Sequence, residues 1–84
     1  MGYIKIREGT YRMSSVLSGI DAAHAIKDII SSERGIPPLR FEFDHSTGGF
    51  ADVLGMYAKQ QLGIGLEVDF DQKSGRLVMF YLNT

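Results

Sequence analysis

The sequence predicts an α/β domain of the α+β kind: a two-layer sandwich, with two helices packed on one face of a four-stranded mixed sheet. Three observations predict it. Four short segments alternate apolar and polar residues, two longer segments carry apolar residues at helical spacing, and glycine and proline punctuate the joins. The order is strand–helix–strand–helix–strand–strand (βαβαββ). Right-handed crossovers would set both helices on the same side of the sheet, with the final two strands as an antiparallel hairpin. One sheet face is then left without a helical cover.

The first strand is Tyr3-Ile4-Lys5-Ile6-Arg7, which alternates apolar and charged residues. Glu8-Gly9-Thr10 reads as a turn. Tyr11-Arg12-Met13 can extend the strand past a bulge, pair back as a short hairpin arm, or lead into the helix. From Ser14 to Arg34 the period changes: Val16, Ile20, Ala23, Ile26 and Ile30 form one apolar stripe, flanked by Leu17 and Ile29. Ser14 or Ser15 can cap this helix, and Ser18-Gly19-Ile20-Asp21 is a near capping box. Gly35 and Pro37-Pro38 stop it.

Leu39-Arg40-Phe41-Glu42-Phe43-Asp44 is the cleanest alternation in the chain, with one face buried and one wet. The second helix carries Phe50, Val53, Leu54, Tyr57 and Leu62 on its inner side and closes at Gly63. Gly55, in mid-helix, costs about 1 kcal/mol relative to alanine. Close approach to Ala22 and Ala23 of the first helix would account for it, as would simple exposure. Leu66, Val68 and Phe70 then alternate with Glu67, Asp69 and Asp71, and Gln72-Lys73-Ser74-Gly75 makes a short loop. The last strand, Arg76 to Leu82, breaks the alternation, being apolar on both faces.

Composition bounds the function. The 84 residues form one unit, 1–84, without repeats or low-complexity stretches, and a domain of this size buries only about 60–65% of its unfolded surface. With no cysteine there is no disulfide, thiolate nucleophile or cysteine-ligated metal, which fits a reducing, cytoplasmic setting. No apolar run approaches the roughly 18–20 residues that span a bilayer, and no basic-then-apolar leader is read, so no membrane association is expected. The net charge of −1 supplies no field to attract nucleic acid.

The strand-two loop (Phe43 to Gly49), the second helix and the closing hairpin (Leu66 to Leu82) resemble the small domains of the SirA/TusA type and the C-terminal domain of translation initiation factor three. The resemblance is one of topology along the whole chain and is poorest at the front. SirA/TusA proteins carry a Cys-Pro pair at the start of the first helix, where the cysteine holds a persulfide. Here the region reads Arg12-Met13-Ser14-Ser15-Val16, so sulfur transfer carries over to no residue. Ser46-Thr47-Gly48-Gly49-Phe50, running on to Leu54-Gly55-Met56-Tyr57, is also similar to the phosphorylatable element of STAS domains, whose longer strand framework is missing.

Five constellations are candidate sites. In His45-Ser46-Thr47-Gly48-Gly49, two hydroxyls and two glycines at a strand-to-helix junction can aim backbone N–H groups at an anion, with His45 as an adjustable donor; the same residues also make an ordinary helix cap. Asp44, His45 and Ser46 are triad residue types, but consecutive side chains diverge, and no catalytic role is assigned. His24 has Asp21 and Asp28 at metal-ligand spacing on a helix, a pattern common by chance. Asp69, Asp71 and Ser74-Gly75 faintly suggest a calcium loop, yet the acids sit on a strand and the bidentate glutamate is absent. Lys5, Arg7, Arg12 and Arg40 can share the uncovered sheet face beside Glu67, Asp69 and Asp71, a split that suits protein association better than a polyanion.

The closing strand is the strongest pointer. Leu77, Val78, Met79, Phe80, Tyr81 and Leu82 cannot all be hidden if the sheet is covered on one side only. Either Leu77, Met79 and Tyr81 or Val78, Phe80 and Leu82 must then face outward, unless residues 1–13 fold over the strand or it is central and covered; burying three such residues contributes roughly 1.5–3 kcal/mol each. The sequence therefore reads as a non-enzymatic interaction domain without cofactor or metal. It self-associates, or binds a protein partner, through its open sheet face or last strand. A regulatory or anion-binding module using residues 45–49 is the alternative, with nucleic-acid binding behind it.

Overall fold

The computed structural model describes residues 2–32, 38–44 and 48–82. Its elements are β1 (Tyr3–Arg7), β2 (Thr10–Met13), α1 (Gly19–Ser32), β3 (Leu39–Phe43), α2 (Gly48–Leu62), β4 (Leu66–Asp71) and β5 (Arg76–Tyr81). The fold is α+β with two helices and one mixed sheet. That sheet has five strands, not four, in the order β1-β2-β3-β5-β4.

The additional strand is β2, the hairpin-arm reading of Tyr11-Arg12-Met13. Gly9, at φ 80°, reverses the chain between β1 and β2, and its carbonyl accepts the Arg40 N–H at 2.8 Å. β2 then runs antiparallel to β1 and parallel to β3, pairing Tyr11 with Phe41 and Met13 with Phe43. Four residues are too few for alternation to declare itself in the sequence. Burial of Tyr11 and Met13, with the Tyr11 ring stacked on Phe41 at 5.9 Å, fixes the strand.

α1 begins five residues later than the apolar spacing suggests. The Ser18 hydroxyl accepts the Asp21 N–H at 3.1 Å, so the near capping box is the true start. Ser14 to Ser18 instead runs as a turn pinned by the Ser14 N–H to the Gly2 carbonyl, and Val16, expected on the inner stripe, is exposed. The expected stop around Gly35 and Pro37 lies outside the described residues. α2 ends at Gly63, where φ is 70° and the Ile64 N–H reaches back to the Ala58 carbonyl.

β3 pairs antiparallel with β5, and β5 antiparallel with β4. Alternation then sorts the sheet. Tyr11, Met13, Leu39, Phe41, Phe43, Leu77 and Met79 join Ala22, Ala23, Ile26, Ile29, Leu54 and Ala58 of the helices in one buried cluster. The other set of alternate positions carries Arg12, Arg40, Glu42, Arg76, Val78 and Phe80. No helix among the described residues is long and apolar enough to cross a membrane.

Candidate functional site

The last strand has a hydrogen-bonded neighbour on each edge, β3 and β4. Leu77 and Met79 lie in the core cluster, and Tyr81 is half-buried against it. On the other face Val78 is buried and Phe80 half-buried; only Leu82, just past the strand, is exposed. Strand addition to β5 is therefore closed, and three of its six apolar residues are buried within the chain itself.

The face that carries Val78 and Phe80 is otherwise charged. Glu42, opposite Val78 in the ladder, accepts hydrogen bonds from Arg12 Nη2 at 3.1 Å and Arg40 Nε at 3.0 Å, with Arg76 Nη1 at 4.0 Å. Arg40 also reaches Asp71 at 3.7 Å, and Arg76 reaches Asp44 at 3.9 Å. The Arg40 guanidinium lies over the Phe80 ring, 5.6 Å from its centroid. Long arginine stems thus bury apolar surface while their heads neutralise three carboxylates. Burial pushes the Glu42 carboxyl upward, but the hydrogen bonds and charges of Arg40 and Arg12 outweigh it and hold the group below its ordinary value.

This arrangement divides the expected basic patch. Arg12 and Arg40 spend their charge on Glu42, while Lys5 falls on the opposite alternation, across from Tyr11, and pairs with Glu8 at 3.1 Å. A face of mutually satisfied ions offers little to a polyanion. The Asp71 carboxylate serves the hairpin loop: it accepts the Lys73 N–H at 3.0 Å, which with the Ser74 contacts lowers its pKa. His24 makes no metal cluster with Asp21 or Asp28; among the described residues no group of three possible ligands converges. Its Nε2 instead meets the Tyr57 hydroxyl at 3.0 Å, with the rings edge to face, and joins α1 to α2.

Of the loop singled out for anions, His45, Ser46 and Thr47 lie outside the described residues; Gly48 and Gly49 form the first turn of α2.

An apolar hollow that the sequence reading missed lies on the helical side. Ile20, Val53 and Met56 are 46%, 50% and 59% exposed and, with Tyr57, line a cavity of about 270 Å³ between α1 and α2. Among the described residues Asp52 is the only charged one in its wall, which Gln60 and Gln61 complete. Ile20 and Val53 are expected on inner faces from the helical spacing. α1 starts at Gly19, where the backbone comes so close to α2 that an added Cβ would meet the Val53 side chain at 2.9 Å. That crossing leaves Ile20 and Val53 at the outer lip of the helix contact instead of beneath it. The available signal was the breadth of the stripes: Ile20 on α1 and Val53 with Met56 on α2 extend each apolar face beyond what a thin core can hold. Comparison with protein-family models, with curated proteins and with solved structures finds no match for this chain.

Proposed function

We propose that this chain is a non-enzymatic association domain that pairs with a second copy of itself through the hollow between α1 and α2. The observation that carries this reading is the convergence of Ile20, Val53 and Met56, each about half exposed, on one hollow with a single charged residue in its wall. Contiguous apolar surface with a polar rim is the make-up of an interface core. The sheet face, by contrast, would have to give up hydration around six interlocked charges to enter a contact.

Completing the burial of these three side chains is worth roughly 1 kcal/mol each, about 6 kcal/mol over two copies. Association itself costs about 4–15 kcal/mol, so the dimer is weak and concentration-dependent. The same reading takes the architecture as a two-layer sandwich and the setting as cytoplasmic. From β2 onward the element order is βαβαββ, which supports the topological resemblance to SirA/TusA-type and initiation-factor-three C-terminal domains.

Sedimentation equilibrium over a concentration series tests the reading. The weight-average mass should climb from that of one chain toward twice that value, and Met56→Glu should hold it at one chain without loss of helical circular dichroism. A wild-type chain that stays monomeric at millimolar concentration overturns the proposal. So does association that survives Met56→Glu but is lost in Phe80→Glu, which would move the interface to the charged sheet face.

A further inference from the structure

β4 closes one side of the sheet, with β5 on its inner edge and no strand on its outer edge among the described residues. Its cross-strand partners show where the cover ends. Val68 stands opposite Met79, and Phe70 opposite Leu77; the two β5 residues are fully buried, while Val68 is 48% and Phe70 54% exposed. α2 touches β4, where Leu66 at the start of the strand packs against the core, but Val68 and Phe70 further along it are not part of that cluster. Gly55 and Lys59 of α2 share a further hollow of about 360 Å³ with Gly65, Leu66, Glu67 and Leu82 at this border, and a Cβ at Gly55 would meet nothing within 4 Å.

The other face of β4 is acidic. Glu67, Asp69 and Asp71 alternate with the apolar residues; Glu67 and Asp69 have no ion-pair partner among the described residues, though the Asp69 carboxylate accepts the Phe70 N–H at 2.8 Å. A second β4 cannot fill this edge, because in either in-face register of an antiparallel pair acid would stand opposite acid. The geometry points to β4 as a receptor edge for an extended segment of a partner protein in which apolar and basic residues alternate. The backbone of such a segment extends the sheet, its apolar side chains lie over Val68 and Phe70, and its cations face Glu67 and Asp69. The chain's own Tyr3–Arg7 has a similar alternation, but its register shifts between Lys5 and Arg7, which interrupts the ladder a docking strand would need.

The test uses a fluorescent peptide of about eight residues alternating valine and lysine, titrated with the whole chain and followed by anisotropy. Saturable binding is expected. It should weaken roughly tenfold or more in the doubly substituted Val68→Lys, Phe70→Lys chain, and again when salt is raised from about 50 to about 500 mM. Amide hydrogen exchange in β4 should slow when the peptide is present, a response that surface adsorption would not give. Both substituted residues are half exposed, so circular dichroism should match the wild type. Absence of saturable binding, equal binding of a valine–glutamate peptide, or unchanged binding by the double variant overturns the inference. So does peptide-free assembly that grows without limit and is abolished by the same double variant, since the occupant would then be β1 of another copy. Met56→Glu lies elsewhere on the surface and should leave peptide binding intact, which keeps this result separate from the dimer.

Discussion

Glu42 shows how one residue can hold a sheet face together. Its carboxylate is almost wholly out of water, yet it accepts from two arginines and lies near a third, so its charge is compensated where it is buried. Among the described residues, the Arg12 Nε is the buried side-chain polar atom left without a partner, a sign that the geometry favours the carboxylate over each individual arginine. Glu42→Gln should destabilise the fold by about 1–2 kcal/mol at neutral pH, between the values for exposed and fully buried pairs. Because the folded carboxyl titrates below its unfolded value, near 4.5, its contribution is complete well above that pH and is lost as pH falls through the folded pKa. Urea denaturation of both proteins at pH 7 and at pH 3 should therefore show the gap at neutral pH and its narrowing in acid. The alternation of Arg40, Glu42 and Asp44 placed these side chains on one face from the sequence alone. Their convergence with Arg12 and Arg76 needed the pairing of β3 with β2 and β5.

At the scale of elements, the close helix approach falls at a different glycine from the one the sequence suggests. Gly55 invited an explanation by close packing on Ala22 and Ala23, yet a Cβ there meets open space; the close approach is at Gly19, against Val53 and the backbone of Leu54. Gly55→Ala should raise stability by about 0.5–1 kcal/mol, since it removes only the glycine penalty. Gly19→Ala should lower it, because the added methyl must push Val53 aside at the helix crossing. Chemical denaturation of the two variants side by side checks both signs. The approximate extents of β1, β3, β4 and β5, the Gly63 stop and Ser18 as one of three candidate caps were legible because each depends on neighbours within a few residues. The orientation of Ile20 and Val53 was not, because it depends on where one helix crosses another.

For the whole molecule, strand order decides what the surface can do. By inserting β5 between β3 and β4, the sheet hides the most apolar stretch of the chain and exposes a strand that looks half polar in sequence. A fold this small leaves apolar side chains exposed in several places, at the α1–α2 lip and the β4 edge but also at Ile4 and Ile6 of β1, at Val16 and at Leu82. If the lip is a dimer contact, the thermal midpoint should rise with protein concentration in the wild type and stay constant in Met56→Glu. Differential scanning calorimetry over a hundredfold concentration range reads this directly, and a constant wild-type midpoint would contradict dimerisation.

The sequence by itself determined the class, the two helices, the alternation of β3 and β4, the loop before β5 and the absence of cysteine chemistry. All of these follow from the period of side chains along a local backbone or from composition. Only the tertiary structure decided that Thr10–Met13 is a strand, that β5 is internal, that Arg12, Arg40 and Arg76 converge on Glu42 and that Ile20, Val53 and Met56 meet at one hollow. Those facts join residues distant along the chain, and pairing between remote segments is set by the packing of the whole, which no local period records.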